Sequence, residues 1–451
     1  MRSCNFNLAH VQFALIISTF IFSLIMPGVL NAQAASDTQS SIPAIAMTIN
    51  LEEALEYARK NGPQLLSARI GSQLAHEDHQ QLRASFLPNI NYLNQYLYTQ
   101  GNGTPSGVFI ANDGVHVYNS QAVVHQELFF PGRRAEYQQA NLAEAIAMAR
   151  TEIVSRGLIA TVVQAYYSQV VADRRVVSAQ KALEDARFFF EITQKQQQGG
   201  EVARSDVVKA QLLLFQRERE CREAKLSLDK ARLALGVLLF ADFRRDFKVV
   251  DDLPSTRSLP SFEEVQHLAS RQNPDLRTAQ LALQHEKVGI NGARTAYLPS
   301  LSFDYFFGIN SNQFATRSEG IQRLGSSAQV TLNIPVWNWG STQSKVRQAQ
   351  MHFQQAQADL SLTQRQLLAN LHSFYLEAQL SQSQLDSLQQ SVNSSQESLR
   401  LILLRYKAGE STVLEVVDAE NTQVQARNAL DDGWMRFRSA LANLQTLTGA
   451  Y

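Results

Sequence analysis

The stretch Tyr297-Leu298-Pro299-Ser300-Leu301-Ser302-Phe303-Asp304-Tyr305-Phe306-Phe307-Gly308-Ile309-Asn310 carries two signals at once. After Pro299, residues Leu301, Phe303, Tyr305, Phe307 and Ile309 share one parity, and Ser302, Asp304, Gly308 and Asn310 share the other. A period of two predicts a strand with one apolar and one polar face. Its first three residues also mark a repeat. A slide of 211 positions lays Phe86-Leu87-Pro88 on Tyr297-Leu298-Pro299, Leu51-Glu52-Glu53 on Phe262-Glu263-Glu264, Pro63 on Pro274 and Leu65 on Leu276, without a gap. A slide of 208 carries Gly132 onto Gly340 and Tyr167 onto Tyr375. One of 209 carries Gly200-Glu201 onto Gly409-Glu410 and Asp206-Val207-Val208 onto Glu415-Val416-Val417. Such small drifts are those of two copies differing by short loop insertions.

Outward from this stretch, Ala328, Val330, Leu332 and Ile334 alternate with Gln329, Thr331 and Asn333 before Pro335-Val336-Trp337. In the first copy Ile90, Tyr92, Tyr96 and Tyr98 alternate with Asn89, Asn91 and Gln95, while the partner strand around Val115 to Phe129 alternates poorly. Phe129, Phe130, Trp337 and Trp339 collect at one end, as an interfacial aromatic girdle would. The alternative is a soluble sheet with one face on a core, but nothing else in the chain is free to cover that face. Strands of about ten residues cross a bilayer when tilted. Four cannot close a membrane barrel, which needs at least about eight. Spanning strands therefore imply an oligomer that pools them, and three copies give twelve.

Further out, prolines stand at 27, 43, 63, 88, 105, 131, 254, 260, 274, 299 and 335, leaving 132–253 and 336–451 free of them. Both spans are rich in Ala, Leu, Gln, Glu, Lys and Arg and read as helical over their whole length. Gly199-Gly200 and Gly409 divide each into a long helix, a tight turn and a second helix. Each copy thus reads helix, strand, strand, long helix, turn, helix. Residues 341–407 make a helix roughly 100 Å long at about 1.5 Å per residue. It carries a seven-residue row at Phe353, Leu360, Leu367, Phe374, Ser381, Leu388, Ser395 and Ile402, and another at Leu371, Ala378, Leu385, Val392, Leu399 and Tyr406. Sustained heptads predict helices packed side by side with left-handed supercoiling, the two serines belonging to a wetted side.

Among the 451 residues 41 are basic and 41 acidic, which argues against nucleic-acid binding, since phosphate neutralisation needs a basic excess. Residues 11–30 are apolar and lead to Ala32-Gln33-Ala34, a small-x-small pattern, so 1–34 reads as a secretory signal peptide. The alternative is an N-terminal membrane anchor. The first repeat then occupies 35–254 and the second 255–451. Beyond residue 34 no run of 18 apolar residues occurs, so membrane insertion of the mature chain falls to strands or a surface helix. Of the two cysteines, Cys4 precedes the cleavage pattern and Cys221 remains alone, so no internal disulfide forms.

With these features in place, the chain resembles the TolC-like outer-membrane factor family over nearly its whole mature length. Arg405-Tyr406-Lys407-Ala408-Gly409-Glu410-Ser411-Thr412-Val413-Leu414-Glu415-Val416-Val417-Asp418-Ala419-Glu420 is similar to the family's hairpin turn in the second repeat, and Gly200-Glu201-Val202-Ala203-Arg204-Ser205-Asp206-Val207 to that in the first. Pro335 to Gly340, followed by Gln343 to Ala349, resembles its strand-to-helix passage, and Leu447-Thr448-Gly449 its helix ending. The resemblance implies a mainly α fold with a β-barrel portion: a homotrimer whose 12-stranded barrel in the outer membrane of a Gram-negative bacterium continues into a periplasmic tunnel of helices. It also implies docking to a periplasmic adaptor and an inner-membrane transporter, as exit duct of an efflux pump or type I secretion system. It further implies that Tyr406 and Asp206 bond across neighbouring helices to hold the entrance shut. Ser411 stands where relatives can carry a basic residue.

No catalytic or cofactor pattern competes. His76 and His79 lie three apart on an expected helix without a Cys or carboxylate pair to complete a metal set. Gly101, Gly103 and Gly107 precede no helix that could receive a phosphate. Cys221 stands beside Glu220 and Arg222 with no His suggested. An export duct and a non-conducting coiled-coil scaffold of the envelope therefore remain, and the polar parity of the strands favours the duct. Loops 101–114 and 310–325 are expected outside the cell. Gly199, Gly200, Gly409 and Thr412 are expected at the adaptor-docking tip, where the glycines also supply φ > 0 at a helix end. Glu415 and Asp418, three apart on one helix face, would form two carboxylate rings in a trimer near the tunnel's periplasmic end. Thr412 and Glu415 also have capping-box spacing. In the first repeat Asp206 and Lys209 bring one acid and one base to that level.

Overall fold

A computed structural model describes residues 47–98, 116–254, 259–311, 314–318 and 320–449. The expected signal peptide, 1–34, and the loop expected at 101–114 fall outside the described residues. The order of elements is β1 Met47–Ile49, α1 Leu51–Asn61, α2 Pro63–Ala84, β2 Asn89–Tyr98, β3 His116–Phe129, α3 Pro131–Gln198 and α4 Arg204–Leu239. Then follow β4 Phe247–Val249, α5 Phe262–Gln272, α6 Pro274–Thr295, β5 Ser300–Ser311, β6 Arg317–Ser318, β7 Ile321–Gln322, β8 Leu324–Asn333, α7 Ser341–Lys407 and α8 Val413–Thr448. The repeat is visible in the lengths: 68 residues in α3 against 67 in α7, and 36 each in α4 and α8. The described residues nevertheless hold together as one unit.

Three departures from the expected order have local causes. The opening helix of each copy is two helices. Capping boxes at Asn50/Glu53 and Ser261/Glu264 start α1 and α5, and Pro63 and Pro274 start α2 and α6, since proline at a first helical position lacks only a donor that would be unpaired there. The proline-free span 132–253 is not helical to its end: α4 stops at Leu239, and Phe247–Val249 pairs in parallel with Met47–Ile49. This small sheet lies over a core of Ile49, Leu158, Val162, Tyr166, Leu235, Leu239, Phe247 and Leu253, where the Tyr166 hydroxyl donates to Val250 O at 2.7 Å. Finally, Ser381 and Ser395 are buried, not wetted. They sit in the seam of α7, whose second row is buried at Leu371, Ala378, Leu385, Val392, Leu399 and Tyr406, and small residues there let the packed helix approach.

The four long strands form one antiparallel sheet in the order β2-β3-β5-β8. The two hairpins of the two repeats join through β3 and β5, leaving β2 and β8 each with one unpaired edge. Gly308 makes that join possible: a Cβ on it would lie 2.3 Å from Ser120 O and 2.4 Å from Gln121 Cα.

Candidate functional site

At the two hairpin tips the same chemistry ends both long helices. Gly200 and Gly409 take φ of +80° and +76°, the left-handed region that a side chain resists. Glu201 N–H then donates to Gln196 O and Gly200 N–H to Gln197 O, while Glu410 N–H donates to Arg405 O and Gly409 N–H to Tyr406 O. Both are Schellman closures, which satisfy carbonyls the helix end would leave orphaned. Thr412 caps α8 by accepting from Glu415 N–H at 3.3 Å. Ser411 and Thr412 hydroxyls also donate to the Glu415 carboxylate, at 2.6 and 3.3 Å. The Ser411 bond, before the others, holds that carboxyl below its ordinary pKa. Glu415 and Asp418 are both exposed on α8.

Above the tips the hairpins meet in a core of Ala186, Phe189, Ala210, Leu213, Tyr406, Val413 and Val416. Tyr406 is 4% exposed, packs its ring 5.1 Å from that of Phe189, and lies with its hydroxyl 3.1 Å from Thr193 Oγ1. Within the protomer its bond thus goes to Thr193 on α3 and not to Asp206. Asp206 Oδ1 accepts from Lys209 Nζ at 3.4 Å, and it stands near enough to help burial raise the Tyr406 hydroxyl's pKa. Nothing in the sequence singles out Thr193, because the contact depends on how two helices 213 residues apart are set against each other.

The register gives the sheet an apolar and a polar face, with β3 mixed on both, as its sequence suggested: Ser120 and Gln126 stand on the apolar face, Val117 and Val123 on the polar one. Register places Ile90 against Val124, Tyr92 against Ala122, Tyr305 against Val124, Phe303 against Val330 and Leu301 against Leu332, all on one face. Asn89, Asn91, Gln95, Asn119, Gln121, His125, Asp304, Gln329 and Thr331 take the other, interrupted by Leu93, Leu97, Val123 and Phe306. Most of the apolar face is uncovered: Ile90, Tyr92, Phe307, Val330 and Leu332 are exposed, while Ile309, paired with Ser120, is buried. His125 Nδ1 lies 2.6 Å from Asp304 Oδ1 across two strands of the polar face. Phe129, Phe130, Trp337 and Trp339 stand at the end of the sheet that leads into the helices, with the two tryptophan rings edge to face at 5.8 Å. Trp339 is 89% exposed and takes φ of +55°, a conformation costly for a non-glycine residue.

Two polar clusters lay beyond the sequence reading. His76 and His79 do find a carboxylate: Glu144 on α3 lies 2.7 Å from His76 Nδ1 and 2.6 Å from His79 Nδ1. No group of three or more His, Cys, Asp or Glu able to hold a metal occurs among the described residues. Deeper in the hairpins, Arg217 is 2% exposed and donates to Glu220 Oε2 at 2.6 Å and Asn421 Oδ1 at 2.8 Å, next to the buried Glu420. Glu420 was legible as an acid in the row Val413, Val416, Glu420.

A model of the family described as outer membrane efflux protein matches residues 54–239 and 265–450, one match in each repeat. Among curated proteins, outer membrane protein TolC of Vibrio cholerae is 26% identical over 410 residues, covering 88% of this chain and 89% of that protein. The alkaline protease secretion protein AprF of Pseudomonas aeruginosa is 22% identical, covering 90% and 85%. Among solved structures, the Campylobacter jejuni CmeC outer membrane channel superposes with a TM-score of 0.79 at 19% identity, covering 88% of this chain and 85% of that one.

Proposed function

The chain belongs to the outer membrane efflux protein family, and from that premise we propose that it works as a homotrimeric duct whose periplasmic end is closed by its own helical hairpins. It is an outer-membrane exit duct with a large periplasmic portion. The observation that carries the trimer is the sheet: four strands, a largely uncovered apolar face and two free edges running in opposite senses. The β8 edge of one copy is antiparallel to the β2 edge of the next, so copies close without leaving an edge, and three supply the twelve strands of a membrane barrel. The apolar face then meets lipid, and the face with His125, Asp304 and Gln329 lines the lumen. Phe129, Phe130, Trp337 and Trp339 sit at the periplasmic interface, and the opposite strand ends face outside the cell, with loop 101–114 and the 310–325 segment, which is not a plain loop but carries the short β6–β7 pair between the ends of β5 and β8.

The exposed tips at Gly199, Gly200, Gly409 and Thr412 are the parts nearest the inner membrane and dock the periplasmic adaptor, through which an inner-membrane transporter delivers cargo. Tyr406, Asp206 and Lys209 hold the entrance, and Glu415 and Asp418 line it. Selection of cargo falls to the transporter, since the duct is shared by whatever the transporter delivers. The test joins mass measurement in detergent with planar-bilayer recording. A trimer with discrete conductance is expected. A monomer overturns the assembly, and a trimer without conductance makes the molecule an envelope scaffold.

A further inference from the structure

Glu420 occupies a core position of α8. Spacings of three and four place Val413, Val416 and Glu420 on one face, which packs on α3 and on Tyr406 of α7. Glu420 is 4% exposed, and its Oε2 is sealed from solvent without a hydrogen-bond partner. It forms the floor of a groove of about 280 Å³ between α3 and α7, whose walls include Phe189, Leu399 and Tyr406. An ionised carboxylate in such a place lacks the hydrogen bonds that would replace water, whereas a neutral carboxyl fits.

We propose that Glu420 is a proton-operated latch between the two helical hairpins, seated when neutral and, when ionised, loosening α8 from α3 just above the Tyr406–Thr193 contact. The charged groups that face it are Lys181 and Asp185 of α3, Arg217 of α4, and Arg400 and Lys407 of α7. Arg217 gives its two Nη atoms to Glu220 and Asn421 and keeps a buried Nε without a partner, and Arg400 binds Glu397 at 2.7 and 2.8 Å; neither closes an ion pair on Glu420. Burial pushes the Glu420 carboxyl up to about 7, with Arg217 lowering it and Asp185 raising it. The sign follows: an acid raised in the closed state and ordinary, near 4.5, in the opened one favours closure at low pH, and that preference shrinks as pH rises through 4.5 to 7. Between pH 6 and pH 8 local opening should become about tenfold more frequent, and little more above that.

The latch rests on the reading that the hairpins close the duct, so two readouts are needed on the intact trimer. Hydrogen exchange, corrected for the intrinsic pH dependence of amide exchange, reports opening of residues 413–426; bilayer recording reports conductance. Wild type should lose protection there about tenfold between pH 6 and pH 8, while Glu420→Gln, of the same shape and never charged, should stay protected throughout. Protection in wild type that does not change with pH, or a change that survives in Glu420→Gln, overturns the latch. Protection that follows pH while conductance does not leaves the latch standing and overturns the closure reading.

Discussion

Gly308 shows how far a single residue's role can lie from anything its neighbours in sequence announce. The alternation that put it on the polar parity of β5 gave no reason for glycine. The reason comes from β3, whose backbone passes where a Cβ would stand. Gly308→Ala therefore forces a backbone shift at the join between the repeats' hairpins, an overpacking that costs about 1–3 kcal/mol. The expected outcome is a sharp fall in the yield of the proposed trimer, measured by mass in detergent, with helical content kept; an unchanged trimer yield would show that β3 and β5 do not approach so closely. Gly200 and Gly409 are the opposite case. Their need for φ > 0 was legible from position alone, and a Cβ at either meets nothing within 4 Å. Substitution by Ala there costs only the backbone strain of about 1–2 kcal/mol. Tyr406 stands between these cases: its burial follows from the heptad row, but its partner does not, because a row fixes a face and not the height of the helix opposite.

At the scale of elements, the helices were readable wherever periodicity is long. The seam row of α7 from Leu371 to Tyr406 is buried at every position that the seven-residue spacing marks. Leu371 is fully buried, and Leu371→Ala should cost about 2–5 kcal/mol, measurable as a lower thermal midpoint of the helical signal. What periodicity does not mark is short or long-range: β1 and β4 have three residues each, too few for a pattern, and they meet only because the chain returns after some 200 residues. The clamp between α2 and α3 is of the same kind, since Glu144 lies 68 residues from His76. That clamp gives a pH expectation. The hydrogen bond to Glu144 raises the His76 pKa above 6.5, so its contribution is full below 6.5 and lost as pH rises through the folded value. Bonds from His76, then His79, hold Glu144 below 4.5, so its share is present above 4.5 and lost as pH falls further. Corrected amide protection in α2 should accordingly be greatest between about pH 4.5 and 6.5 and decline toward pH 8. His76→Ala should flatten the decline, and a decline that persists in the variant would remove His76 from the clamp.

For the whole molecule, the arrangement of charge at the periplasmic end yields the most exacting test. In the proposed trimer Glu415 and Asp418 contribute six carboxylates to two rings. Glu415 stays ionised at any pH above its ordinary 4.5, because the Ser411 hydroxyl holds its pKa down. At a separation on the order of 10 Å in water, each carboxylate is worth about 0.4 kcal/mol to a monovalent cation before screening, and six are worth roughly 2.5. Even after salt has removed about half of that, cation preference should be several-fold and block by divalent or trivalent cations stronger still. The double substitution Glu415→Gln with Asp418→Asn removes the charge and leaves the cap, since Thr412 accepts from the backbone N–H of residue 415. It should therefore abolish most of the cation preference and weaken multivalent block by at least about tenfold, with the trimer intact. Tyr406→Phe acts on a different quantity. It removes a hydroxyl contact with Thr193 worth about 1 kcal/mol in each protomer, so roughly 3 kcal/mol less holds the trimer closed. Resting conductance should rise with selectivity unchanged. Both effects are read in the same bilayer recordings, so closure and selection are separable. Unchanged selectivity and block in the double variant would mean that these carboxylates do not line the aperture, whatever Tyr406→Phe does to its opening.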